Sequence, residues 1–251
     1  MNSRILSAIF ASVCGIASPG LFAAPIGTGS VNFTGSAGVS AVAVDFFGDP
    51  TSGCSTPGVG LLGCFGVNVP LTGVFATGLT PLTNGGTIQD LVNPPISGLN
   101  FLSAFITFNN GVFFDLTYIV PGGAAACDST LTNNPNYSCT PVINGVTSPF
   151  TLTNSSDASN ASVFFNVQVD AYTGTTASGT TPYVGAFNTP SAGKNIAGIL
   201  LDINNGQTVS AAYSANFVGT DIPEPGTIAL IGIGLSAIFV SRMRRKSDTQ
   251  V

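Results

Sequence analysis

Leu102-Ser103-Ala104-Phe105-Ile106-Thr107-Phe108, then Asn109-Asn110-Gly111, then Val112-Phe113-Phe114-Asp115-Leu116-Thr117-Tyr118-Ile119-Val120: this stretch decides the fold class. Side chains of an extended strand alternate between two faces. In the first run Leu102, Ala104, Ile106 and Phe108 share a face. In the second Phe114, Leu116, Tyr118 and Val120 do. Asn-Gly between two such runs is a hairpin signal, because both residues tolerate the positive φ that tight two-residue turns need.

The same grammar extends outward. Val163, Phe165, Val167 and Val169 alternate with Asn166, Gln168 and Asp170, and Phe150–Leu152 is the expected partner across Asn154-Ser155-Ser156-Asp157. Val42, Val44 and Phe46 form another alternating run. Val209, Ala211, Tyr213, Ala215 and Phe217 form one more, and Asn204-Asn205-Gly206 is read as a hairpin turn joining it to Asn195–Ile203. A helical period is suggested only over Thr87–Val92, as a single turn. Glycine is abundant at 31 residues, with 16 prolines, and β-branched and aromatic residues dominate the apolar runs. The expected architecture is all-β: an antiparallel two-sheet β-sandwich of eight to twelve strands over residues 25–220, with a β-barrel as the alternative.

Composition limits the function. Charged residues make up 7% of the chain, against the quarter usual for soluble domains. Lys194 is the only basic residue between Pro25 and Thr220, where the acidic residues are all aspartates. Nucleic acid is excluded as a partner, since it requires many Lys and Arg contacts to phosphates. The chain has no histidine, which removes Ser-His-Asp and Cys-His activation and imidazole metal sites. No catalytic residue, cofactor or metal ligand is assigned. Cys54, Cys64, Cys127 and Cys139 are an even set in an exported chain and read as disulfides. Of the three possible connectivities we expect the local one, Cys54–Cys64 and Cys127–Cys139, because both segments have loop composition.

The two ends read as addresses. Met1–Arg4 is a short basic start, Ile5–Ile16 an apolar run and Ala17–Ala24 a set of small residues, so residues 1–24 form a signal peptide. At the other end stand Pro223-Glu224-Pro225, an uncharged run from Thr227 to Val240, and the basic cluster Arg242, Arg244, Arg245 and Lys246. Glu224 is the only glutamate. At about 1.5 Å per residue a helix over 226–241 reaches roughly 24 Å, marginal for the roughly 30 Å bilayer core. The basic cluster favours the cytoplasmic side. Residues 221–251 are therefore expected to be a sorting tail with a transmembrane helix at 226–241.

This order of Pro-Glu-Pro, apolar segment and terminal basic cluster resembles the PEP-CTERM sorting signal of bacterial exported proteins. The resemblance covers Asp221 to Val251 and no part of the body. It implies an exosortase-like membrane protease as partner, transient residence in the inner membrane, and delivery to the cell surface or extracellular matrix. The body is then expected to be a structural or adhesive domain, in contact with extracellular polysaccharide.

Two other functions use residues that the chain supplies. A carbohydrate-binding module would use Tyr118, Tyr172, Tyr183 or Tyr213. An aspartate-dependent hydrolase would need two of Asp45, Asp115, Asp170 and Asp202 to meet in space. Asp45 and Asp49 lack the spacing of a calcium loop. Ser191-Ala192-Gly193-Lys194 lacks the companion motifs of penicillin-binding enzymes.

Overall fold

The computed structural model describes residues 26–40, 43–48, 62–92, 98–143, 145–174, 179–190 and 193–220. Its strands are β1 (Ser30–Val39), β2 (Ala43–Phe47), β3 (Leu62–Asn68), β4 (Asn84–Gln89), β5 (Leu91–Val92), β6 (Gly98–Phe108) and β7 (Val112–Ile119). After these come β8 (Ser138–Cys139), β9 (Val142–Ile143), β10 (Val146–Thr147), β11 (Thr151–Asn154), β12 (Ala161–Thr173), β13 (Thr181–Thr189) and β14 (Val209–Gly219). Among the described residues one α-helix, α1 (Ile196–Asn204), lies between β13 and β14, and Gly73–Ala76 form a 3-10 turn.

The architecture is a closed antiparallel barrel, which corrects the expected two-sheet sandwich. Eight strands run in the order β1-β3-β4-β6-β7-β12-β13-β14, and β14 pairs with β1. Closure runs from Ser30↔Val218 to Val39↔Val209. Each barrel strand pairs with the next one in the chain, an up-and-down order. Closure removes both sheet edges along this path. β2 folds back on β1 and carries β5, while β11 and β8 continue the sheet beyond β12.

Aromatic rings fill the interior. Phe33, Phe65, Phe108, Phe114, Phe187 and Phe217 are all buried. Phe165 stacks on Phe187 with centroids 4.6 Å apart, and Phe33 on Phe217 at 5.5 Å. Inward glycines make the room. A Cβ on Gly185 would lie 2.2 Å from the Phe217 ring, and one on Gly35 would lie 2.7 Å from Tyr213 Oη. Small residues facing large ones is how a narrow barrel interior is packed.

The Asn109-Asn110-Gly111 hairpin forms as expected, with Gly111 at φ 82. So does the pairing of 151–154 with 161–164. The predicted face holds for Ile106, Phe108, Phe114 and Leu116, then slips. A register shift between Gln168 and Val169 lets Ile119 face inward instead of Tyr118 and Val120. A bulge in β6, with Ala104 at φ 51, turns Phe105 into the core.

Two local expectations are corrected. Residues 196–204 are helical, because the Asn195 side chain accepts the Gly198 N–H as an N-cap and Ile196, Ile199 and Ile203 line one face. Asn204-Asn205-Gly206 is that helix's end, not a hairpin: Gly206 sits at φ 71 and its N–H bonds to the Ile203 carbonyl. The segment 87–92 is strand, in β4 and β5, rather than a helical turn. Among the described residues no helix is long and apolar enough to cross a membrane. The leader 1–24 and the helix expected at 226–241 lie outside the described residues.

Candidate functional site

The barrel has two differently built ends. At the first, the chain enters and leaves side by side. Gly219 N–H donates to the Gly29 carbonyl at 2.9 Å. Thr181 Oγ1 donates to Ile26 O at 2.7 Å and Tyr183 Oη to Gly27 O at 3.2 Å. Burial pushes the Tyr183 phenol up to about 12, so this donor stays protonated. The connection from β3 to β4 closes this end. Its 3-10 turn drives Phe75 inward, 5.1 Å from Phe108 and 5.8 Å from Phe114 between ring centroids. Asn110, from the hairpin that revealed the fold, holds the plug by donating Nδ2 to Val74 O at 3.1 Å and Thr77 O at 3.2 Å.

The opposite end carries a cap formed by residues 121–160 and α1. It has its own small core of Leu152, Ala161, Ile196, Ile199, Ile203 and Val209, distinct from the barrel core. Cys127–Cys139 staples it, as expected, with a Cα separation of 4.8 Å. Cys64 is disulfide-bonded as well; Cys54, its expected partner, lies outside the described residues.

Asn154 is the joint of the cap. It is buried, its Nδ2 donates to Thr132 O and Asn134 O, both at 2.9 Å, and its Oδ1 accepts the Ile196 N–H at 2.9 Å. One amide thus ties the disulfide loop, β11 and the helix start together. In the sequence Asn154 reads as a turn residue, and the short polar strand Thr151–Asn154 gives no local sign that its amide is buried. Lys194, before the helix, pairs with Asp202 within it.

Between cap core and barrel core lies a cavity of about 40 Å³, lined by Phe150, Phe165, Phe187, Ile199 and Tyr213 among others. Ligand pockets run from about 300 Å³ upward, so this is a packing seam. A more open groove of about 380 Å³ lies between Pro121, Gly122, Ser138, Pro149, Phe164 and Asn166. It bears no charge, and Phe164 is 39% exposed within it.

Of the candidate aspartates, two do meet. Asp115 and Asp170 face each other across β7 and β12. Burial, then the Asp115 charge, raises the Asp170 carboxyl above its ordinary range. Asp115 is occupied structurally: its Oδ1 accepts the Ala104 N–H of the bulge at 2.6 Å and the Tyr172 hydroxyl at 3.0 Å. Neither lines the cavity or the groove just described. Asp45 lies beside Asp90, whose Oδ1 accepts Phe46 N–H at 2.7 Å while burial raises its pKa. Among the described residues no group of three potential ligands is placed to hold a metal ion.

The candidate tyrosines offer no exposed ring. Tyr183 and Tyr213 are inside the barrel, Tyr172 is buried against Phe113, and Tyr118 is half-buried. The sorting residues Pro223, Glu224 and Pro225 and the cluster Arg242, Arg244, Arg245 and Lys246 lie outside the described residues. The last strand of the body, β14, ends at Gly219.

Residues 221–246 match the family described as the PEP-CTERM protein-sorting motif. No curated protein and no solved structure matches the chain.

Proposed function

We propose that the chain, exported and sorted through the PEP-CTERM motif at its C-terminus, delivers a non-enzymatic, disulfide-clipped β-barrel to the cell surface or extracellular matrix. There it acts as a structural or adhesive element. The observation that carries the reading is the sorting motif itself, with Glu224 and the terminal basic cluster in order. The body supports it by what it is made of. Its interior is packed with aromatic rings, and Asp115, the partner of Asp170 across the ladder, is engaged in holding a bulge. An exosortase-like membrane protease is the processing partner. An internally tagged chain and its Glu224→Ala variant provide the test. The expectation is a shortened, exported wild type and a longer, membrane-retained variant. Identical size and location for both removes processing at this motif.

A second reading is favoured by one observation, the uncharged groove with the half-exposed Phe164 ring. There the barrel would bind an extracellular polysaccharide by stacking a sugar face on Phe164. Glycan-array binding that Phe164→Ala abolishes supports it. An empty array disposes of it.

A further inference from the structure

We propose that Asn205–Gly206, at the C-terminal end of α1, is a self-modification site: the Asn205 amide is lost through cyclisation, and the resulting acid loosens the cap. This chemistry needs neither the sorting tail nor a ligand.

Asn-Gly is the pair in which the reaction meets least hindrance, because glycine has no Cβ to shield its nitrogen and its backbone turns freely. The Gly206 backbone nitrogen attacks Asn205 Cγ. The N–Cγ bond forms, the Cγ–Nδ2 bond breaks, and ammonia leaves with the proton of the attacking nitrogen. Water then opens the five-membered imide. Opening at Cγ leaves aspartate, and opening at the backbone carbonyl carbon leaves isoaspartate. Nothing is oxidised or reduced.

The chain has four Asn-Gly pairs, at 84–85, 110–111, 144–145 and 205–206. Asn144 lies outside the described residues. The other three differ in what the amide already does. Asn84 lies in β4, paired with Gly66; its Oδ1 accepts Gly86 N–H at 3.0 Å and its carbonyl accepts Asn109 Nδ2 at 2.8 Å. Asn110 clamps the plug through Val74 O and Thr77 O, and its Oδ1 accepts Val112 N–H at 3.4 Å. Cyclisation at either must first break these bonds. Asn205 is exposed, and among the described residues none is hydrogen-bonded to its side chain. The backbone that must turn there is a helix end, held by Gly206 N–H to Ile203 O at 3.0 Å and Gln207 N–H to Asp202 O at 2.8 Å. Such ends open locally at low cost.

The product is badly placed for the helix. A helix carries partial negative charge at its C-terminus, and like charges three residues apart on its surface repel. The last turn of α1 has no basic residue, and Asp202 stands three positions before 205. A new carboxylate therefore opposes the helix end. Isoaspartate also adds a backbone carbon, which displaces Gly206 from the φ 71 position that ends α1. Ile199 and Ile203 belong to the cap core, so the loosening reaches the cap and spares the separate barrel core.

The full-length chain, folded and in parallel in urea, is incubated at mildly alkaline pH, and peptide mass mapping follows amide-to-acid conversion at 84, 110 and 205. A hydrogen bond that must break first slows the step roughly fivefold, so in the folded chain conversion is expected about fivefold slower at Asn84, and about thirtyfold slower at Asn110, than at Asn205. In urea the three rates should converge. Equal rates in the folded chain, Asn205 no faster than Asn110, or the same ranking in urea overturns the site. Asn205→Gln, whose longer side chain closes the corresponding ring far more slowly, tests the consequence. Aged wild type should exchange the Ile199 and Ile203 amides faster than fresh protein, with Phe33 unchanged, and aged Asn205→Gln should match its fresh form. Conversion at 205 with unaltered exchange at Ile199 and Ile203 overturns the loosening.

Discussion

Asn154→Ala is the substitution whose cost follows most directly from the geometry. The side chain makes three hydrogen bonds in a buried setting: two donations to Thr132 O and Asn134 O, and acceptance of Ile196 N–H. A net bond contributes about 1 kcal/mol, and a buried donor left unpaired costs about 1–3 kcal/mol. Two lost carbonyl bonds plus one orphaned N–H at the start of α1 sum to about 3–5 kcal/mol. An asparagine in an exposed turn would cost less than about 0.5 kcal/mol. Because the cap has its own core, the loss should appear first as local opening. Urea unfolding measures the total, and amide hydrogen exchange at Ile199 and Ile203 measures the cap. The expected outcome is faster exchange there than at Phe33 or Phe187 in the barrel. An unfolding free energy within about 1 kcal/mol of wild type, with unchanged cap exchange, refutes the role of Asn154 as the joint.

Further outcomes follow from the packing and the charges. Gly185→Val places a side chain into the Phe217 ring and should destabilise the barrel by at least the roughly 1–3 kcal/mol of an overpacked core, read as a lower melting temperature; an unchanged value contradicts the inward assignment of Gly185. Opening the Cys127–Cys139 link with paired serine substitutions should cost about 3 kcal/mol by loop entropy, visible in urea unfolding as early loss of the cap; coincident cap and barrel transitions would contradict a separately cored cap. Asp170, with its carboxyl raised by burial and by Asp115, binds its proton more tightly folded than unfolded. Its contribution therefore falls as pH rises through the raised value. Asp170→Asn should be more stable than wild type at neutral pH, and the gain should vanish below about pH 4, where both folded and unfolded carboxyls are protonated. Asp157 behaves oppositely. Ser155 Oγ, then the Ser159 N–H and hydroxyl, hold it down to about 2, so its contribution is present above the ordinary aspartate pKa and fades as pH falls toward 2. A pH titration of stability for Asp157→Asn against wild type checks that sign.

Strand positions were legible because alternation is a local signal, and Val163–Val169 and Val209–Phe217 carry it with only Phe164 and Ala212 as apolar exceptions. Closure was not. Alternation looks the same in a sandwich and a barrel, and the deciding contact joins Ser30 to Val218 at opposite ends of the body. The inward glycines, Gly35 and Gly185, were the available hint, since they leave space for Tyr213 and Phe217. Asn-Asn-Gly misled once because glycine at positive φ serves two purposes. At 109–111 it turns a hairpin; at 204–206 it ends a helix. The neighbours decide between them. Ile196, Ile199 and Ile203 repeat at helical spacing after an asparagine cap, a pattern the apolar richness of the segment concealed. Bulges were illegible for a related reason: the two extra residues around Ala104 are held by the Asp115 carboxylate across the ladder, a contact no single strand reveals. The sorting motif was readable from its residues alone because its parts are contiguous.

The most direct measurement is the intact, non-reduced mass of the protein recovered from outside the cell that makes it. The account predicts a chain that starts near Pro25, ends near Pro223–Pro225 and has Cys54, Cys64, Cys127 and Cys139 oxidised. A 25.3 kDa chain found inside the cell, with its basic terminus intact and its thiols reduced, contradicts it.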